Sequence, residues 1–148
     1  MAKTDAWENG LLLLVFNNVA FTAVGDAGGL LGSAVAGSLF VSLHTADPGE
    51  AGSQNTSEAS YTGYARVAVA RSASGWTVSG SVVRPTSEIV FPVPTGGTGT
   101  FTFFGVGTAS SGTGRLLYHP PIVSPVGGHV LVLGQAPRMT TATSITES

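Results

Sequence analysis

Three histidines and eight carboxylates are the groups of this 148-residue chain that could move protons or hold a metal ion. The histidines, His44, His119 and His129, are far apart, and none has the four-residue spacing that places two imidazoles on one face of a metal-binding helix. His44 and Asp47 are close enough to share a metal or to belong to a triad. The simpler reading is that His44 ends a strand and Asp47 opens the turn Asp47-Pro48-Gly49, where Asp and Pro are favoured for backbone reasons. His119, just before two prolines, reads as a solvent-facing strand end. A glycosidase needs two carboxylates facing each other across a sugar. Asp47 and Glu50 share one loop and Glu88 precedes a strand, and nothing marks a facing pair. A calcium loop needs several oxygen ligands at regular spacing, and Asp47-x-x-Glu50 supplies two. The stretch from Gly107 to Gly114 has the glycine spacing of a phosphate loop, but Thr113 stands where the lysine should reach the phosphates, so it reads as a hairpin turn. There is no Gly-x-Ser-x-Gly elbow and no cysteine. The expectation is a protein that is not an enzyme, with no catalytic, cofactor-binding or metal-binding residue and no cofactor.

Composition points the same way. Charged residues make up 9% of the chain and hydrophobic residues 43%, against about 25% charged in an average globular protein. Polarity comes instead from Ser and Thr hydroxyls, which suits a surface covered by partners. The six cations, Lys3, Arg66, Arg71, Arg84, Arg115 and Arg138, are scattered. A nucleic-acid binder needs several on one face, so no nucleic-acid partner is expected. Neither the apolar run Leu11–Phe16 nor the Gly- and Ser-interrupted stretch Ala27–Leu43 reaches the roughly 20 apolar residues of a membrane span. Asp5 and Glu8 outweigh Lys3, against a signal peptide, so the first 20 residues are read as part of the mature protein.

The elements that would position these groups are mostly short. Residues 5–17 read as the one helix, with Asp5 as N-cap and Glu8 reciprocating. Trp7, Leu11, Leu14 and Val15 form one apolar stripe, and Leu12, Leu13 and Phe16 widen it to most of the circumference. A helix apolar nearly all round needs burial on more than one side. Trp7, Leu11, Leu12, Val15 and Phe16 are therefore the candidate partner interface. From Leu39 the pattern changes to strands between Gly, Pro and Ser clusters: Leu39–Thr45, Tyr64–Arg71, Gly75–Ser81, Glu88–Val93 after an Arg84-Pro85 break, Thr100–Thr108, Arg115–His119, His129–Leu133 and a Thr-rich Arg138–Thr146. About eight short strands without alternating helices predict an all-β sandwich of jelly-roll type with one N-terminal helix. The expected division is a helical segment, 1–20, and a single β-sandwich domain, 21–148.

Several segments then acquire a second meaning. Phe40-Val-Ser-Leu-His-Thr-Ala-Asp-Pro-Gly-Glu-Ala-Gly52, followed by Ser60-Tyr-Thr-Gly-Tyr-Ala-Arg-Val-Ala-Val69, is similar to a family of small structural proteins of tailed bacteriophages. So are Thr4–Asn9 ahead of the apolar run, Phe104–Gly112 and Gly114–Tyr118. The stretch Gly25–Ser38 and the chain beyond Pro120 depart from that pattern. The resemblance implies a virion component without catalytic residues to carry over. Some members resemble capsid cement (decoration) proteins. The expectation is therefore a protein made in the host cytoplasm that binds the outer capsid surface and cements neighbouring major capsid protein subunits. It would self-associate, as a dimer ahead of a trimer. The alternatives are a tail- or fibre-associated structural protein, and a carbohydrate-binding sandwich using Tyr61, Tyr64 or Trp76 as sugar platforms.

Overall fold

The computed structural model describes residues 2–148. Its elements are one helix, α1 (Asp5–Asn17), and eleven strands: β1 (Ser38–His44), β2 (Val67–Ala70), β3 (Trp76–Ser79), β4 (Val82–Pro85), β5 (Ile89–Val90), β6 (Thr100–Phe101), β7 (Phe103–Gly107), β8 (Leu116–Tyr118), β9 (His129–Val130), β10 (Arg138–Met139) and β11 (Ile145–Thr146). All the strand pairs whose register is resolved are antiparallel. The fold is all-β and sandwich-like, as the strand count predicts. No helix among the described residues is long and apolar enough to cross a membrane. The chain divides into two compact units.

The first unit comprises the residues up to Ser38, Val69–Ser87 and Thr140–Ser148. Here α1 packs on the β3–β4 hairpin, to which β11 adds an outer strand. The cap of α1 is Thr4, whose hydroxyl accepts from the Trp7 N–H at 3.4 Å, rather than Asp5. Asp5 is already inside the helix, where its charge favours the positive end of the helix dipole. The helix ends at Asn18 in the left-handed region. Its last turn has no cation of its own, and Arg71 supplies one, donating to Leu14 O and Val15 O at 2.7 Å each. Gly10 sits mid-helix at a propensity cost of about 1 kcal/mol. A Cβ there would lie 2.5 Å from the ring of Phe21, which would have to move to admit a larger residue.

The inward stripe of α1 is not the one that apolarity alone suggests. Glu8, Leu12 and Phe16, four residues apart, are the buried positions, while Leu11, Leu14 and Val15 are half-buried. Phe16 meets Trp76 edge-on with ring centroids 4.9 Å apart. With Leu12, Val83 and Ile145 they form the core of this unit. The strand β4 lies where a break is expected from Arg84-Pro85. Pro85 opposes Trp76, and the bond from Thr86 N–H to Gly75 O makes Trp76 and Pro85 a non-hydrogen-bonded pair. The ring nitrogen therefore faces the β11 side, where β11 pairs only with Val82 and Val83 and does not reach it. Proline here removes no ladder bond.

The second unit comprises Leu39–Ala68 and Glu88–Met139. Its main sheet has the order β2-β1-β7-β8, with Phe40 opposite Gly107, Ser42 opposite Gly105 and His44 opposite Phe103. Two ribbons, β10-β5 and β6-β9, complete it. Leu39, Val41 and Leu43 point one way from β1 into a core with Phe91, Phe101, Phe104 and Met139. Two expected strands are divided. Thr100–Thr108 breaks at Thr102, whose N–H leaves the ladder for His44 O and whose carbonyl accepts from Ile122. Arg138–Thr146 breaks into β10 and β11, because Thr143 N–H turns back to Thr140 O. Met139 then pairs with Ile89 and Ile145 with Val83.

Candidate functional site

The polar loop after β1 folds back over the second face of the main sheet, held by a largely buried polar cluster. Ser42 and His44, two apart on β1, share that face and are fully buried. His44 Nδ1 lies 2.7 Å from Thr56 O and must donate to it. In the neutral ring Nε2 then accepts from the Ser42 hydroxyl, 2.8 Å away. Burial pulls the His44 pKa below its ordinary value, against the opposing pull of the Thr56 carbonyl. The Ser42–His44 spacing is that of a nucleophile and its base. Yet a Cβ on the facing Gly105 would stand 2.4 Å from both Oγ and Nε2. The space above the pair is filled by backbone, and no substrate atom fits.

Gln54 is the second anchor. It is fully buried, donates to Phe40 O at 3.2 Å and accepts from Ala109 N–H at 2.8 Å. Its side chain occupies the volume where a Cβ on Gly107 or Gly114 would stand, within 2.1 and 2.0 Å of Gln54 atoms respectively. The third anchor is an ion pair. Arg66 Nε and Nη2 meet Glu58 Oε1 and Oε2 at 2.7 and 2.8 Å, with the Arg side chain 2% and the Glu side chain 14% exposed. Arg66 also donates to Ala109 O and Gly112 O. Tyr64 donates to Glu58 Oε1 at 2.8 Å and accepts from Leu43 N–H at 3.1 Å. Burial pushes the Tyr64 phenol well up, and the hydrogen bonds to Glu58 hold the Arg66 guanidinium charged.

The glycine-rich turn before β8 therefore aims carbonyls at a guanidinium. A phosphate loop aims N–H groups at an anion, so this turn has the opposite polarity. An open pocket of about 260 Å³ lies over Glu58, Tyr64, Arg66, Ser110 and Ser111. The charged groups in it are already turned to each other and to the turn. What the cluster does physically is tie three segments distant in sequence, 53–58, 64–66 and 109–114, into one rigid surface.

The other marked residues are dispersed. Asp47 bonds Gly49 N–H at 2.9 Å in its own turn and stands 3.1 Å from His119 Nδ1, not beside His44. His119 is half-buried rather than solvent-facing. Among the described residues no group of three or more His, Asp or Glu is placed to hold a metal ion. Of the candidate interface residues, Leu12 and Phe16 are fully buried inside their own unit. Trp7 is 36% exposed and leans on Phe21, while Leu11 and Val15 are half-buried. Tyr61 and Trp76 are buried and present no ring face to a sugar, and Tyr64 is half-buried with its hydroxyl bonded at both sides. Gln54 and Glu58 lie in a stretch that reads only as a long polar loop. The usable signal is Tyr64-Ala-Arg66: an arginine just ahead of an apolar strand, once buried, needs a carboxylate beside it.

The polar cluster of the second unit is turned inward onto its own loops. Ser42, His44, Tyr64, Arg66, Ala109 and Gly112 of that cluster lie in segments that resemble the phage proteins, and Gln54 and Glu58 lie in the loop between two of them. A family model described as podophage GP4 fiber I protein gp80 matches residues 2–130, and the chain belongs to that family. It is a structural component of a bacteriophage virion. No curated protein matches the chain.

Proposed function

We propose that the protein is a fibre-associated structural component of the phage virion and that it acts through assembly interfaces, without catalysis. The observation that carries this reading is the match of residues 2–130 to a fibre-protein family, which favours the tail or fibre over the capsid shell. The inward-facing polar cluster is in keeping with it. A domain that must hold its shape under load gains from a buried Glu58–Arg66 pair and from loops pinned by Gln54 and His44. In this reading the partner is a fibre or tail protein, and cementing of the major capsid protein gives way.

Localisation in purified virions tests it. Antibody labelling or cryo-electron microscopy should place the chain on the fibres, in a small number of copies set by tail symmetry. Density spread over the shell in on the order of hundreds of copies would restore the cement reading and the major capsid protein as partner.

A further inference from the structure

The open pocket of about 260 Å³ over the Glu58–Arg66 pair is walled by Ser110, Ser111, Ala65 and the half-buried Tyr64. Its charges balance. Arg66 directs its donors to Glu58, to Ala109 O and to Gly112 O. No unpaired cation lines the pocket to meet a phosphate or a carboxylate. Hydroxyls, in contrast, are unengaged. Ser110 and Ser111 are exposed, and neither hydroxyl has a hydrogen bond among the described residues. Each can donate once and accept twice. Glu58, 14% exposed, accepts from Tyr64 once and from Arg66 twice, which leaves about one of its four acceptor positions.

The two serines are also held in place. The carbonyls on either side of them, of Ala109 and Gly112, both end on the Arg66 guanidinium, at 2.9 and 2.6 Å. Gln54 fixes the Ala109 N–H from below. A short exposed turn ordinarily loses freedom when it binds a ligand. Here that loss is already met in folding, which is the condition for binding with few contacts.

We infer that this pocket binds a neutral saccharide through one sugar ring. Every sugar hydroxyl both donates and accepts, as do the two serine hydroxyls, and the remaining Glu58 position accepts only. The C–H faces of a ring need apolar wall, which Tyr64 and Ala65 supply. Small-molecule sites combine such walls with a few placed polar groups, and the volume lies just below their usual lower limit of about 300 Å³. One ring fits, and a longer chain would leave through the open side. Contacts this few correspond to a dissociation constant on the order of 1 mM for a single ring, raised in effect where many copies meet a repeating glycan. The inference stands on this pocket alone, wherever on the virion the protein sits.

The full chain can be titrated with glucose, galactose, mannose and N-acetylglucosamine and followed by amide NMR. The Ser110, Ser111 and Gly112 signals should move with at least one of them and saturate at a dissociation constant on the order of 1 mM. Glucuronate and glucosamine, which bring an uncompensated charge, should bind at least fivefold more weakly than the best neutral sugar. Ser110→Ala combined with Ser111→Ala, at exposed positions where folding is not at stake, should weaken binding at least tenfold with an unchanged circular dichroism spectrum. Ala65→Leu, which fills the pocket from an exposed position, should do the same, whereas Ser144→Ala, exposed in the other unit, should change nothing. An array of immobilised neutral glycans separates two sources of the ring: retention there assigns it to a polymer, and a response to free sugars without retention assigns it to a free sugar. Neither a shift at these amides nor retention would overturn the proposal. So would a double serine variant that binds as before, or a preference for the charged sugars.

Discussion

Glu58 and Arg66 face each other through two parallel hydrogen bonds of 2.7 and 2.8 Å, and Tyr64, Ala109 and Gly112 bond to the same two side chains. The fork is specific to guanidinium. Lysine would keep the charge and lose the bidentate geometry and the carbonyl contacts to Ala109 and Gly112. Breaking a buried pair by removing one partner costs about 3–5 kcal/mol, because the other charge is left without compensation. Arg66→Met should therefore lower unfolding stability by about 3 kcal/mol in urea titration, and Arg66→Lys by a smaller amount. Removing both charges, with Glu58→Gln added to Arg66→Met, should recover a substantial part. A double variant as weak as the single one would show that the carbonyl contacts, not the ion pair, carry the stability.

The close approach of Gln54 to Gly107 predicts coupling rather than simple loss. Gly107→Ala places a methyl 2.1 Å from Gln54 Cδ, and overpacking of this kind costs about 1–3 kcal/mol. Adding Gln54→Ala opens that space, so the pair of changes should be less destabilising than the sum of the two measured singly. A double-mutant cycle by thermal or urea unfolding reads the coupling. Strict additivity would mean the strand moves away instead.

Much of the architecture was legible locally. The helix over residues 5–17 followed from its apolar density and capping residues, and the first strand from its run Leu39–Thr45. What was not legible depended on partners distant in sequence. Leu12 and Phe16 face inward because Trp76 and Val83 are there, and the helix pattern alone permitted a stripe through Leu11 and Val15. Pro85 read as a break because the absence of a neighbouring strand beside its nitrogen is a property of the sheet. The loop cluster was hidden for the same reason. Gln54 and Glu58 are ordinary loop residues until Gly107, Gly114 and Arg66 are brought to them.

The inward stripe of α1 makes its own prediction. Phe16 is fully buried against Trp76, and truncating such a residue costs about 3–5 kcal/mol. Phe16→Ala should thus impair folding of the first unit outright. Leu11→Ala, at a half-buried position, should cost clearly less. Equal losses in urea unfolding would mean that Leu11 is covered as completely as Phe16.

His44 predicts how stability responds to acid. Burial holds its folded-state pKa below the ordinary value of 6.5, which the unfolded chain restores. Between those two values the unfolded state binds more protons than the folded one, so stability rises with pH. The contribution is complete above about 6.5 and is lost progressively as pH falls through that value toward the folded pKa, below which it is flat. The imidazole would have to become charged beneath the loop, with the Ser42 hydroxyl reversing its bond and the Thr56 carbonyl unmoved. Urea unfolding at pH 7.5 and at 5.5 should show the unmodified protein losing stability on acidification. His44→Gln should be weaker at pH 7.5, since it gives up a buried hydrogen bond worth about 1–3 kcal/mol. It should also lose less stability between the two pH values. An identical acid response in both proteins would move the titration to another group.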